Sequence, residues 1–267
     1  MKAREFAISF KSSGALLHGM LHLPAVRHKS PGVVICHGYF QSNRIGPLAL
    51  YVTLARSIAE KGIACLRFDC AGFGESEGDY ASASYESLVR DLHAAIRYLR
   101  MENRVTPKSI GILGHSLGGN LAMQVAADDP SIHALCLLSP NPYRSAKDVT
   151  IFSGSQIAAF KRHGTVLRKG IPASAKVYDP IHDGITIRNA RRVHAHTLLV
   201  FGSADPYYKR AQYNEFSHAF QHPAKVSGIL RADHNFLPLS SRPPLYRLVA
   251  PWFSNAFSCA PPLGRRK

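Results

Sequence analysis

The chain has 267 residues, of which 46% are hydrophobic and 19% are charged. This length and composition are ordinary for one folded domain with an ample core, and they exclude an intrinsically disordered chain. No apolar stretch approaches the ~20 residues that cross a bilayer, and the first residues lack the apolar core of a secretion signal. We therefore expect a single domain over residues 1–267 with no transmembrane segment.

The net charge of +16 at pH 7 is the least ordinary feature of the composition. Ten lysines and arginines stand against three aspartates in residues 140–193. Such charge can attract nucleic acid, an anionic membrane or an acidic substrate, and it can equally serve solubility alone. No RNA-binding aromatic signature or helix-turn-helix pattern accompanies it, so we expect no specific nucleic-acid partner.

The five cysteines include no C-x-x-C pair and no zinc-binding spacing. Cys36, Cys65 and Cys136 fall on apolar segments that predict core strands, where a thiol acts as a small hydrophobic group. Free buried thiols suit a reducing compartment, so we expect a cytoplasmic protein.

The first third of the chain predicts a hairpin, then alternating strands and helices. Residues 4–10 and 17–23 read as antiparallel strands joined by a turn at residues 12–14. The short apolar run at residues 33–36 predicts a strand buried on both faces. Helical spacing over residues 51–59 predicts the next helix, with Pro47 in its first turn.

The same alternation continues to the end of the chain. Strands are predicted at residues 63–68, 110–113, 134–138, 198–202 and 226–230, with helices around residues 88–99, 121–125 and 245–253. This pattern indicates the α/β class, with a mostly parallel sheet that is covered on both faces and opened by the antiparallel hairpin.

A G-x-S-x-G motif, Gly114-His115-Ser116-Leu117-Gly118, stands between a predicted strand and a predicted helix. This context is typical of a nucleophile on a sharp strand-to-helix turn, where a side chain at either glycine would crowd the backbone. Ser116 is therefore the candidate nucleophile, and the backbone N–H of Leu117 can donate to a developing oxyanion. The plainer interpretation of the motif is a glycine-rich turn before a helix.

A serine nucleophile needs a base, and the base needs an acid that orients it. Asp205 follows the strand at residues 198–202, and His234 follows the strand at residues 226–230. The chain order Ser, Asp, His is that of the α/β-hydrolases. We predict Asp205 as the acid and His234 as the general base, with Asp233 as the alternative acid.

The chain resembles the α/β-hydrolase family over nearly its whole length. The resemblance is to the branch of serine aminopeptidase-like proteins, monoacylglycerol lipases and small cinnamoyl or feruloyl esterases. It is carried by the motif at Ser116, by residues 33–39 with their His-Gly pair, and by residues 67–76, which are similar to the family's D-x-x-G-x-G-x-S segment. It implies that Tyr39 and Leu117 supply the backbone N–H groups of the oxyanion hole, with no cofactor and no metal.

Cys70 and Ala71 depart from the family's usual pattern, which often has Arg or Asn before the glycine. The basic stretch before residue 193 is a second departure. Both leave the substrate open.

Residues 140–193 interrupt the alternation where this branch inserts a small cap between sheet strands 6 and 7. Apolar residues between 151 and 160 predict an amphipathic helix in it. We expect a lid that lines an acyl or aryl pocket, and the alternative is a surface excursion without a role in substrate binding.

Several other polar residues have structural interpretations. Asp69 is expected to hold its loop by hydrogen bonds, His37 to brace the oxyanion loop, and His115 to pack against the sheet. The H-x-H pair at His194 and His196 has no third ligand nearby in sequence, so it does not predict a metal site.

The sequence thus predicts a serine hydrolase that cleaves a carboxylic ester of a small molecule. A thioesterase or acyltransferase acting on an anionic carrier is the alternative, and a non-catalytic binding module on the same fold is less favoured. The oligomeric state is left open.

Overall fold

The computed structural model describes residues 3–40, 42–142, 153–168 and 170–259. Its strands are β1 (Arg4–Ser12), β2 (Ala15–Leu23), β3 (Ser30–Cys36), β4 (Ala64–Phe68), β5 (Val105–His115), β6 (Ile132–Leu138), β7 (Thr165–Arg168), β8 (Ile171–Ser174), β9 (His196–Gly202) and β10 (Lys225–Ile229). Its helices are α1 (Leu50–Glu60), α2 (Tyr85–Met101), α3 (Leu117–Asp128), α4 (Gly154–His163), α5 (Ala175–His182), α6 (Ile185–Ala190), α7 (Arg210–Ser217) and α8 (Arg242–Ser258).

Eight of the strands form one sheet in the order β1-β2-β4-β3-β5-β6-β9-β10. Strand β2 pairs antiparallel with β1 and with β4, and every other pair in the sheet is parallel. This confirms the predicted parallel sheet with an antiparallel opening hairpin. Because parallel strands end at the same edge, the loops after β3, β5, β6, β9 and β10 meet there, where ligands bind in such sheets.

The sheet is buried on both faces by helices. Neighbouring strand residues alternate between the two cores, so that Ile112 packs with α2 and α3 on one face and Leu113 with α1 and α8 on the other. Strands β4 and β6 are buried at every residue, which explains why they are continuous apolar runs in the sequence.

Helix α1 begins later than predicted, because the backbone before it is left-handed. Pro47 starts a separate 3-10 turn, and Leu48 and Ala49 have φ of 46° and 61°. The buried guanidinium of Arg242 at the start of α8 donates to the carbonyls of Pro47 at 2.8 Å and Leu48 at 2.6 Å. The same side chain donates to the carbonyl of Phe236 at 3.0 Å, so it ties three segments together.

Helices α4, α5 and α6 and the hairpin β7–β8 lie between β6 and β9 in the chain. The helix predicted near residues 151–160 is present as α4, although residues 151 and 152 lie outside the described ranges. Val177 and Ile181 of α5 are fully buried in the same core as α2 and α3. Among the described helices, none is both long and apolar enough to cross a bilayer.

All five cysteines are free thiols. Cys36, Cys65 and Cys136 are buried in strands of the sheet, as predicted, and Cys70 is buried just after β4. Cys259 is exposed.

His22 on β2 is a fully buried histidine whose charge state couples the fold to pH. Its Nε2 accepts a hydrogen bond from Nε of Arg67 at 2.9 Å, which requires the neutral ring. Burial, followed by the positive charge of Arg67, lowers the pKa of His22 to about 4, while the Glu5 carboxylate acts in the opposite direction. The unfolded histidine has a pKa near 6.5 and therefore binds its proton first as the pH falls.

We expect His22 to destabilise the fold between about pH 6.5 and pH 4, since each pH unit in this window costs about 1.4 kcal/mol. The free energy of unfolding is unaffected by the titration of His22 above about pH 6.5, and it is lower by about 3 kcal/mol at pH 4. His22→Gln keeps an acceptor for Arg67 and does not titrate, so it is the matched reference. Urea unfolding at several pH values checks this, and parallel pH profiles for the two proteins would contradict it.

Candidate active site

Ser116 occupies a strained turn between β5 and α3. Its backbone has φ 53° and ψ −121°, a conformation that non-glycine residues rarely adopt. The turn requires the glycines on both sides. A Cβ on Gly118 would lie 2.4 Å from the carbonyl oxygens of both Cys36 and His37, and a Cβ on Gly114 would lie 2.4 Å from the carbonyl oxygen of Gly118. The backbone of α3 therefore passes directly against the end of β3.

The three side chains predicted at separate strand ends lie in one chain of hydrogen bonds. Nε2 of His234 is 2.9 Å from Oγ of Ser116, and Nδ1 is 2.8 Å from Oδ2 of Asp205. Asp205 is 2% exposed, and its other oxygen accepts from the backbone N–H of Tyr207 at 2.8 Å. Since a carboxylate accepts, Nδ1 carries the proton and Nε2 presents its lone pair to the serine hydroxyl.

Asp233, the alternative acid, serves its own loop instead. Its Oδ1 accepts from the backbone N–H groups of Asn235 at 3.1 Å and Leu237 at 2.8 Å. These bonds shape the turn that carries His234, as expected of an Asx turn.

His115 is buried and packed as the sequence predicts, and it also makes two hydrogen bonds. Its Nε2 lies 3.0 Å from the backbone carbonyl of His234, so this nitrogen donates, and Nδ1 accepts from the hydroxyl of Tyr51 at 2.6 Å. Burial, followed by the charge of His234, lowers the pKa of His115 to about 3. His115 is therefore a neutral bridge between α1 and the backbone of His234, and the polar residue in an otherwise apolar strand end was its one signal in the sequence.

The predicted oxyanion loop follows β3 and lies beside the serine. A Cβ built on Gly38 would be 3.6 Å from Cβ of Ser116, which shows how closely the loop passes. His37 braces this loop as predicted, because Nδ1 donates to the carbonyl of Gly38 at 2.6 Å and Nε2 accepts from the backbone N–H of Cys70 at 3.1 Å. Burial lowers the pKa of His37, which keeps the ring neutral and able to accept.

The two predicted N–H donors have different origins. Leu117 is the first residue of α3, where a helix leaves its N–H groups without intrahelical partners and carries partial positive charge. Tyr39 follows Gly38 in the oxyanion loop, and its ring packs edge-on against Phe40 and Phe73. These ring contacts hold the loop from its buried side.

Asp69 holds the loop after β4, as predicted. Its fully buried carboxylate accepts from the backbone N–H of Arg44 at 2.5 Å and of Glu75 at 3.2 Å, and it pairs with the guanidinium of Arg44.

The serine opens into a cleft of about 430 Å³. Its walls combine aromatic rings, aliphatic side chains and a few small polar groups. The lining residues are Gly38, Tyr39, Phe40, Ser42, Pro47, Leu48, His115, Ser116, Asn141, Tyr178, Tyr207, His234, Asn235 and Leu237. Tyr178 comes from α5, with its ring edge-on to Tyr39 at 5.7 Å and stacked on Phe40 at 6.1 Å. The segment between β6 and β9 therefore contributes a wall to the cleft.

The described residues contain no group of three or more His, Cys, Asp or Glu side chains that could hold a metal ion. Within those ranges, His194 and His196 therefore belong to no such group.

Residues 28–177 match the family described as serine aminopeptidase, S33, which is more than half of the chain. The chain belongs to this family of α/β-hydrolases. The resemblance carried by the motif at Ser116 is thereby confirmed at the level of the family and the fold.

Curated relatives of this α/β-hydrolase match part of its length. It is similar to the quorum-quenching protein AidA of Acinetobacter baumannii, at 31% identity over 50% of this chain and 43% of that protein. It is also similar to thiohydrolase aneE of Aspergillus aculeatus, at 29% identity over 48% of this chain and 38% of that protein. The chain thus spans about two fifths of the length of these curated relatives.

Solved structures match over nearly the whole chain. Est1E from Butyrivibrio proteoclasticus, with ferulic acid bound, has a TM-score of 0.76 and 22% identity, and the match covers 93% of this chain and 97% of that one. The α/β-hydrolase GrgF from Penicillium has a TM-score of 0.70 and 17% identity, with coverage of 96% and 100%. At these identities the likeness establishes the shared fold.

We expect Gly118→Ala to lower the free energy of unfolding by about 3 kcal/mol, because the added methyl meets two backbone carbonyls that cannot rotate away. This loss would outweigh the roughly 1 kcal/mol that alanine gains over glycine in a helix. Gly38→Ala is the matched control, since its methyl meets neighbours at 3.5 Å or more. Urea unfolding measures both, and equal stability of the two variants would contradict the close approach.

Proposed function

We propose that this α/β-hydrolase cleaves a carboxylic ester of a small molecule through a Ser116–His234–Asp205 triad and an acyl-enzyme intermediate. The proposal is supported above all by the hydrogen-bond chain from Asp205 through His234 to the Ser116 hydroxyl. A strained serine at a helix start, facing a base that is oriented by a buried acid, is the arrangement that nucleophilic acyl transfer needs.

The first half of the reaction forms the acyl-enzyme. Oγ of Ser116 bonds to the carbonyl carbon while Nε2 of His234 takes the hydroxyl proton, and the carbonyl electron pair moves onto oxygen. Asp205 holds the imidazole in the right tautomer and stabilises its positive charge. When the tetrahedral intermediate collapses, the bond to the leaving alkoxide breaks and His234 gives that oxygen its proton.

The N–H groups of Tyr39 and Leu117 are proposed to bind the oxyanion of this intermediate. Loss of one such donor typically lowers turnover by about 10²–10³-fold. In the second half, water attacks the acyl carbon by the same route, which releases the acid and restores the serine.

The charge of the cleft favours a neutral ester over a peptide. Within the described ranges, the residues that line it include no aspartate or glutamate to hold a free amine and no lysine or arginine to hold a carboxylate or phosphate. The aromatic rings of Tyr39, Phe40, Tyr178 and Tyr207 suit an aryl or short alkyl group. Est1E, which shares the fold, was solved with ferulic acid bound.

Thioester hydrolysis or acyl transfer is the second candidate. Relatives named thiohydrolase and polyketide transferase are similar in sequence to about half of this chain. The net charge of +16 would also attract an anionic carrier. Turnover of acyl-CoA in preference to p-nitrophenyl esters would favour this candidate, while turnover of neither would favour a binding module.

We further propose that residues 140–193 act as a cap over the cleft, because α5 places Tyr178 in its wall. Residues 143–152 and 169 of this segment lie outside the described ranges. Replacing Tyr178 with alanine tests the cap, since unchanged relative rates over an acyl series would contradict it. The buried free thiols support a cytoplasmic location, which localisation of a tagged chain in its native cell would check.

We expect Ser116→Ala to abolish labelling by a fluorophosphonate probe and to lower kcat on p-nitrophenyl esters by about 10⁴-fold or more. Asp205→Asn is expected to lower kcat by about 10⁴-fold, because the amide favours the wrong tautomer of His234. Asp233→Asn is the matched control and should retain the rate. Labelling that survives in Ser116→Ala would place the nucleophile elsewhere.

A further inference from the structure

Asn141 is a cleft residue that the proposed reaction leaves without a role. It lies just after the carboxyl end of β6, at the edge where the loops of the active site meet. It is 2% exposed, and it lines the same cleft as Ser116 and His234. It was not predicted from the sequence, although a polar residue directly after a buried strand was a signal for it.

The backbone of Asn141 is fixed by Asn120 on α3. Oδ1 of Asn120 accepts from the backbone N–H of Asn141 at 3.2 Å, and Nδ2 of Asn120 donates to the backbone carbonyl of Asn141 at 3.1 Å. Nδ2 of Asn120 also donates to Oγ1 of Thr186 at 2.8 Å, which connects the pair to α6. Asn141 is therefore held in position independently of its own side chain.

The side-chain amide of Asn141 is bonded at one end only. The hydroxyl of Tyr208 donates to Oδ1 at 2.6 Å, and this bond fixes the plane of the amide. Nδ2 is buried and has no hydrogen-bond partner among the residues that the structure describes. A buried polar group without a partner costs about 1–3 kcal/mol, so a protein retains one where it meets a ligand or serves another function.

We propose that Nδ2 of Asn141 donates a hydrogen bond to a neutral acceptor oxygen of the substrate. The preferred ester then carries a second oxygen, as an ether, hydroxyl or carbonyl, a few bonds from the carbonyl that Ser116 attacks. This inference rests on the proposed esterase activity and adds the substrate class. The oxygen can belong to the acyl group or to the alcohol.

The surroundings of the amide favour a neutral oxygen over an anion. Among the residues that the structure describes, the cleft lining contains no lysine or arginine that could balance a carboxylate or phosphate next to Asn141. An amide N–H is a neutral donor, and a site built around one discriminates strongly against a substrate that lacks the acceptor, because the donor is then left unpaired.

Matched esters that differ by one atom test the proposal. Replacing a methylene by an ether oxygen keeps the shape and adds an atom that can only accept. The acyl arm compares p-nitrophenyl methoxyacetate with butyrate, and 3-methoxypropanoate with pentanoate. The alcohol arm compares 2-methoxyethyl acetate with butyl acetate. Each pair gives an ether-to-methylene ratio of kcat/KM.

The ratio is measured in the native chain and in two variants, so that intrinsic differences in ester reactivity cancel. Asn141→Leu has similar volume and no donor, and Asn141→Asp keeps the acceptor for Tyr208 while removing the N–H groups. Thr186→Val is the matched control, because it removes a bond from the same network outside the cleft lining. Thermal unfolding and fluorophosphonate labelling of Ser116 verify that each variant is folded.

We expect the ether-to-methylene ratio to fall by about threefold to tenfold in Asn141→Leu and Asn141→Asp for at least one pair, the range that one neutral hydrogen bond supplies. The arm in which it falls identifies the acyl or the alcohol side, and Thr186→Val should keep the native ratio. Ratios that are equal in the native chain and both variants for every pair, with Ser116-dependent turnover intact, would overturn the role of Asn141 alone. Absence of Ser116-dependent turnover on all the esters would overturn the proposed function and this inference with it.

Discussion

The contact between the first turn of α3 and the carbonyl groups that end β3 sets the geometry of the whole cleft. Only a glycine at position 118 permits it, because a Cβ there would lie 2.4 Å from two carbonyl oxygens. The contact places the Ser116 turn beside the loop of Gly38 and Tyr39. The positive φ of Ser116 persists because the surrounding backbone over-determines it, as the hydrogen bond from its N–H to the carbonyl of Leu138 at the end of β6 illustrates.

His234 reaches Ser116 from a loop, and buried side-chain hydrogen bonds hold this loop where a strand would have backbone pairing. His115 donates a hydrogen bond to the backbone carbonyl of His234, and Arg242 donates one to the backbone carbonyl of Phe236. Both side chains are also bonded to the segment around α1. His115 accepts from the hydroxyl of Tyr51, and Arg242 donates to the backbone carbonyl of Leu48. Helix α1, which covers one face of the sheet, thereby helps to orient the imidazole of His234. A change in the packing of α1 should therefore shift the position of this imidazole.

The positions of Ser116, Asp205 and His234 at one edge followed from the sequence, because parallel strands all end there and each residue lies in the segment that follows a strand. The bridge from Tyr51 through His115 did not. Its partners are 64 positions apart, and their contact depends on how α1 crosses the sheet, which apolar spacing does not encode. The delayed start of α1 was missed for a related reason, since its left-handed residues are fixed by a distant arginine rather than by local sequence.

The account depends on a covalent acyl group at one serine. Rapid quenching of the reaction with an ester, followed by mass spectrometry of the proteolytic peptides, measures this directly. We expect the acyl mass on the peptide that contains Ser116 within the first turnover, and its loss as the free acid is released. Turnover with no acylated peptide at any time, or an acyl group on a different residue, would contradict the account.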